Sequence, residues 1–111
     1  MRFLALEREI PALPRPDHTD LLRHEAAAVW RLQSAGVVRE ICFTHPERHA
    51  VLTLECPSLA SARAHLAALP LARAGLIEFQ LLELRPYDGY ERLFAAGYDA
   101  PADPAGGPAE Y

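Results

Sequence analysis

The sequence predicts an α+β fold in the chain order βαββαβ, an antiparallel four-stranded sheet carrying two helices on one face. Three observations carry that expectation. Four β-rich stretches, at 2–8, 37–44, 50–56 and 76–84, are separated by two stretches with helical periodicity. The two middle β stretches are joined by His45-Pro46-Glu47-Arg48-His49, a loop so short that it can only reverse the chain. Proline or glycine marks the other junctions.

Taken in order, residues 2–8 (RFLALER) alternate as a strand should, and Pro11, Pro14 and Pro16 then impose an extended connector. Asp17 or Thr19 can cap the first helix, which carries Asp20 in its first turn and Leu22, Ala26, Val29 and Gln33 along one stripe until Gly36 stops it. Val37–Thr44 and Ala50–Cys56 form the hairpin. Pro57-Ser58 supplies a turn and an N-cap for the second helix, whose Leu59, Ala62, Leu66 and Leu69 recur at helical spacing up to Pro70. Residues 71–75 read as a connector, and Leu76–Leu84 is the closing strand. This order is the ferredoxin-like arrangement. In an unbroken hairpin one face holds Val37, Arg39, Ile41, Phe43, Val51 and Thr53, and the other Val38, Cys42, Ala50, Leu52, Leu54 and Cys56. Both faces are too apolar for water, and the helices cover only one. A second sheet covering the other predicts a homodimer packed sheet to sheet.

The 111 residues divide into one domain over 1–86, a short aromatic helical extension over 87–98 and a Pro/Gly/Ala-rich tail over 99–111. Within the extension a helix over 89–96 presents Tyr90, Leu93 and Phe94 for docking on the protomer or a neighbour. Half the residues are hydrophobic and 23% are charged, a balance that fits a globular chain. The net charge is −4 and all 11 basic residues are scattered arginines, which argues against a nucleic-acid partner. No apolar run approaches the roughly 20 residues of a membrane span, and MRFLALEREIPALP carries charge too early for a signal peptide, so no membrane association and a cytoplasmic location are expected. Cys42 and Cys56 read as free buried thiols, set too far apart along the hairpin for a bridge.

The chemistry centres on Glu25. At about 100° per residue it lies only about 40° from Val29, the centre of the buried stripe, whereas His24 falls on the outer half of the helix. A carboxylate among leucines is costly to ionise, and its raised pKa is how a general acid or base is tuned. Arg39 alternates with Val37 and Ile41 and needs a partner on an apolar face. Two partners are open to it: Glu25 across a small-molecule pocket, or Glu55, which a symmetric hairpin places opposite Arg39 as a cross-strand ion pair. Glu55, His65 and Phe43 complete the candidate set as substrate-binding residues, His65 standing at the edge of the second apolar stripe. His45 and His49 have an H-x3-H spacing, but Pro46 and the hairpin deny it helical geometry, so no metal is expected. Ser58 reads as a cap rather than a nucleophile, and no Gly-rich phosphate loop or dinucleotide fingerprint is present.

The stretch Thr19–Leu84 resembles the muconolactone delta-isomerase family of the dimeric α+β barrel superfamily. The resemblance rests on Glu25 in the first helix, Leu32-Gln33-x-x-Gly36 at its end, Arg39 in the next strand, Leu69-Pro70-Leu71 after the second helix, and the closing strand. It implies a cofactor-independent isomerase acting on an unsaturated lactone carboxylate in catechol breakdown, and a homodimer or higher homo-oligomer. In that reading Glu25 moves the proton and Arg39 holds the substrate carboxylate or the developing enolate charge. Two features depart from the family pattern: His24 stands at a position that looks basic in its members, and the chain continues through Tyr87, Tyr90, Phe94 and Tyr98. Similar barrels include cofactor-free monooxygenases and cyclases for aromatic polyketide-like substrates. Outside catalysis, the alternative is a small-molecule-binding protein in which Glu25, Arg39 and Glu55 form a buried ion network.

Overall fold

The computed structural model describes residues 1–11 and 18–94. Asp17, Tyr98 and the 99–111 tail lie outside them. The elements run β1 (Arg2–Glu9), α1 (Thr19–Ser34), β2 (Val38–Phe43), β3 (Ala50–Glu55), α2 (Leu59–Ala67), α3 (Pro70–Arg73) and β4 (Ile77–Leu84), followed by a 3-10 helix over Gly89–Phe94. The four strands form one antiparallel sheet in the order β2-β3-β1-β4, as a βαββαβ chain requires. No helix among the described residues is long and apolar enough to cross a membrane.

Phe3 and Ala5 from β1, Leu52 and Leu54 from β3, and Ala62, Leu66 and Leu69 from the α2 region form the centre of the core. Ser58 caps α2 as expected, its hydroxyl accepting from the Ser61 amide at 3.1 Å. The α1 cap differs. Thr19 is the first helical residue, and His18 holds the cap position without a side-chain cap bond.

Both helical segments end alike. Gly36 has φ +80° and Gly75 φ +74°, conformations in which a Cβ is strained. Val37 N–H donates to Leu32 O and Gly36 N–H to Gln33 O; Leu76 N–H and Gly75 N–H repeat the pattern on Leu71 O and Ala72 O. The second of these ends belongs to α3, which occupies the stretch expected to be a connector. Pro70 lacks the amide that a helix's first residue leaves unbonded, so it ends α2 and opens α3.

The hairpin register also departs from expectation. Phe43 pairs with Ala50, Cys42 with Val51, Ile41 with Leu52 and Glu40 with Thr53, but Val38 pairs with Leu54. Arg39 is the extra residue of a β-bulge. Beyond it the side-chain alternation reverses. Ile41 and Phe43 join Ala50 and Leu52 on the helix side, while Glu40 and Cys42 join Val51 and Thr53 on the open side. The bulge therefore undoes the face assignment of an unbroken hairpin. Cys56 is buried, but Cys42 is exposed, contrary to the buried pair expected; both are free.

Leu4, Leu6, Val51, Leu82 and Leu84 lie on the open face, the two β4 leucines exposed in the protomer. After β4 the helix expected over 89–96 is a 3-10 helix over its described part, with Tyr90, Leu93 and Phe94 exposed. The Tyr87 ring meets Tyr90 edge-on at 4.9 Å and lies over Gly89, leaving no room there for a Cβ.

Candidate active site

A cavity of about 1130 Å³ opens between α1 and the sheet. Its α1 wall consists of Leu22, Glu25, Ala26, Val29, Trp30 and Gln33. The stripe that periodicity assigned to a buried face thus faces a cavity, and α1 has no fully buried residue. Opposite it stand Glu7 and Glu9 at the end of β1, Ile41 and Phe43 delivered by the bulge, Arg48 and Ala50 from the hairpin, and Leu71 from α3.

Glu25 is half-buried, and its Oε1 accepts the Leu71 N–H at 2.9 Å. Burial pushes its carboxyl above the ordinary range; the Leu71 bond opposes that shift, and the negative charge of Glu7 adds to it. Its inward placement follows from the helical period. Its hydrogen bond depends on α3, whose first turn leaves the Leu71 amide without a partner inside the helix.

Glu7 is a site residue that the sequence reading passed over. Pairing between β1 and β3 stops at Leu6–Val51, and Glu7 Oε2 accepts the next amide, that of Ala50, at 2.7 Å. The signal was present: Phe3 and Ala5 alternate onto Glu7, a carboxylate where the strand period calls for a core residue. His18 also reaches the wall, with a buried Nε2 that has no hydrogen-bond partner among the described residues. Arg48 was passed over too. It has left-handed backbone, φ +59°, and its guanidinium lies over the Phe43 ring at 4.6 Å.

The structure does not bring all the expected residues together. Glu25 and Phe43 share the cavity. Arg39 is exposed at the bulge and forms no part of the wall. Glu55 does not stand opposite Arg39, because the bulge shifts the register; it pairs with Arg2 across β1 and lies 3.3 Å from the Met1 amino group and 3.8 Å from Arg2 Nε. Among the described residues Arg39 forms an ion pair with neither proposed partner, so the buried Glu25–Arg39–Glu55 network is not formed. His65 is partly buried near the end of α2, away from the cavity. His45 and His49 lie on the hairpin loop, and the described residues contain no group of three or more His, Cys, Asp or Glu placed to hold a metal ion.

No protein-family model and no curated protein matches the chain. Solved structures do. The crystal structure of muconolactone isomerase superposes with a TM-score of 0.68 at 21% identity, over 79% of this chain and 92% of that one. The 5-chloro-2-hydroxyhydroquinone dehydrochlorinase of Burkholderia phenoliruptrix, in complex with 2,5-dihydroxybenzoquinone, superposes with a TM-score of 0.54 at 16% identity, over 80% of this chain and 98% of that one. At these identities the likeness is one of fold: the chain has the α+β fold of muconolactone isomerase.

Proposed function

We propose that the protein is a cofactor-independent enzyme that moves a double bond by proton transfer in a small unsaturated lactone or carboxylate, as the name of its neighbour muconolactone isomerase suggests. The observation that carries this reading is Glu25: a half-buried carboxyl with a raised pKa on the wall of a cavity, anchored through Oε1. Oε2 is left to carry a proton. Glu25 takes the proton from a carbon beside the conjugated carbonyl, the electron pair moves onto the carbonyl oxygen as a dienolate, and the same proton returns at the far end of the conjugated system. Atoms and charge balance without a further reactant, and a carboxyl tuned upward serves both halves.

Glu25→Gln keeps the side-chain shape and the acceptor for Leu71 while removing the base. Turnover of muconolactone, followed by ultraviolet absorbance, should fall about 10²- to 10⁴-fold with ligand affinity retained. Unchanged turnover would remove Glu25 from the mechanism.

The cavity volume favours a second reading. About 1130 Å³ exceeds what a small lactone fills, and Trp30 and Phe43 line it, which suits a cofactor-free monooxygenase or cyclase acting on a larger aromatic substrate. Oxygen consumption with polyphenolic substrates separates the two. For the assembly, the apolar open sheet face supports a homodimer closed sheet to sheet, and sedimentation velocity measures it.

A further inference from the structure

We propose that Arg48, at the tip of the β2–β3 hairpin, holds the anionic group of the substrate and sets the cavity's preference for a carboxylate; the proposal deepens the isomerase reading and rests on it for the reaction, though not for the binding. The charges on the wall are unevenly matched. Glu7 and Glu25 each hold a backbone amide, from Ala50 and Leu71. Arg48 is the one arginine among the described wall residues, and among the described residues it makes no ion pair and no side-chain hydrogen bond. It forms an ion pair with none of the wall glutamates Glu7, Glu9 and Glu25.

What holds Arg48 is the turn and a ring. Its amide donates to Thr44 O at 3.0 Å, and the following His49 amide donates to Thr44 Oγ1 at 3.0 Å, so the backbone position is fixed. That position has φ +59°, which costs a residue with a Cβ about 1 kcal/mol or more and which glycine would occupy freely. The guanidinium carbon lies 4.6 Å from the centre of the Phe43 ring, a cation–π contact that consumes none of its N–H donors. With no ion pair and no side-chain hydrogen bond among the described residues, its N–H donors stay available for bidentate binding of a carboxylate. Phe43 reaches this place only because the Arg39 bulge turns it to the helix side.

Charge also fixes orientation. A carboxylate entering a cavity walled by Glu7, Glu9 and Glu25 is repelled by all three, and Arg48 gives it one favourable end, leaving the uncharged unsaturated part of the ligand for Glu25.

The test is equilibrium binding, by calorimetry, of muconolactone and its methyl ester to the full chain and to Arg48→Gln, Arg48→Gly and Arg39→Gln. The expected result is a preference of the unsubstituted protein for the acid that falls about 10- to 100-fold in both Arg48 variants, with ester binding unchanged. Arg48→Gly guards against a folding artefact, since it suits the left-handed backbone. In turnover, KM should rise in these variants with little change in kcat. A preference that survives in the Arg48 variants, or that is lost in Arg39→Gln instead, overturns the proposal. Failure of the isomerase reading looks different: no turnover by any form, with the acid preference and its dependence on Arg48 intact.

Discussion

The two βα halves of the sheet treat their helices in opposite ways. α2, with 9 residues, places Ala62 and Leu66 in the core, followed by Leu69, and its first turn is closed by the Ser58 cap. α1, with 16 residues, has no buried residue and no side-chain cap, and Leu22 and Trp30 on its cavity side are 55% and 67% exposed. Both helices carry an apolar stripe at the same period. In one half the stripe meets the sheet and becomes core; in the other only Ala28, Val29 and Leu32 pack against the core, partly buried, and Leu22, Glu25, Ala26 and Trp30 become a cavity wall. Core and cavity are thus assigned to different halves of one repeated pattern, and a carboxylate is tolerable in the half that is less tightly packed.

Truncating the two stripes tests that division most strongly. Leu66→Ala should cost about 2–5 kcal/mol, because it removes a side chain packed among Ala62, Leu69 and the sheet. Leu22→Ala, on the cavity wall, should cost less than about 1 kcal/mol. Urea midpoints with an unchanged slope measure both, and equal losses would show that α1 is as much a part of the core as α2.

The caps give a smaller contrast. Ser58→Ala should cost about 1 kcal/mol by orphaning the Ser61 amide. His18→Ala should cost nothing attributable to capping, since His18 makes no cap bond. The glycine ends provide the matched control. Gly36→Ala and Gly75→Ala meet no neighbouring atom within 4 Å, so each should cost only the left-handed backbone strain, about 1 kcal/mol, in either half. Unequal losses at the two glycines would mean that the halves differ in backbone as well as in packing.

The sequence was legible where one residue type and one local geometry imply each other. Ser58 before an apolar run, Gly36 after one, and the short 45–49 loop each have a single local solution, so the element order and most boundaries follow from them. Glu25 was legible for the same reason: the helical period alone turns it inward. The Arg39 bulge was not. An extra residue in a strand leaves no compositional trace, yet it reverses every later side chain, separates Arg39 from Glu55 and turns Phe43 toward the cavity. Arg48 was obscure because left-handed backbone at a non-glycine residue runs against the propensity that makes turns readable. Glu7 is the instructive omission. Phe3 and Ala5 alternate onto it along β1, so a carboxylate stands where the strand period calls for a core side chain.

The smallest effect sharpens the comparison from the electrostatic side. Because burial raises the Glu25 carboxyl in the folded chain, the native state retains a proton that the unfolded chain has already released at the same pH. Stability from this group is therefore greatest below the ordinary carboxylate range, and it declines as pH rises through that range to the raised folded value. The Leu71 hydrogen bond limits the decline, since it favours the charged form. Glu25→Gln retains an acceptor for that amide and removes the titration. Urea midpoints from about pH 4 to about pH 8 should fall more with pH in the unsubstituted protein than in the variant, which at neutral pH should be at least as stable. If the variant is instead less stable at neutral pH, the charged form of Glu25 stabilises the fold, and the open half is not the tolerant environment that its lack of packing implies.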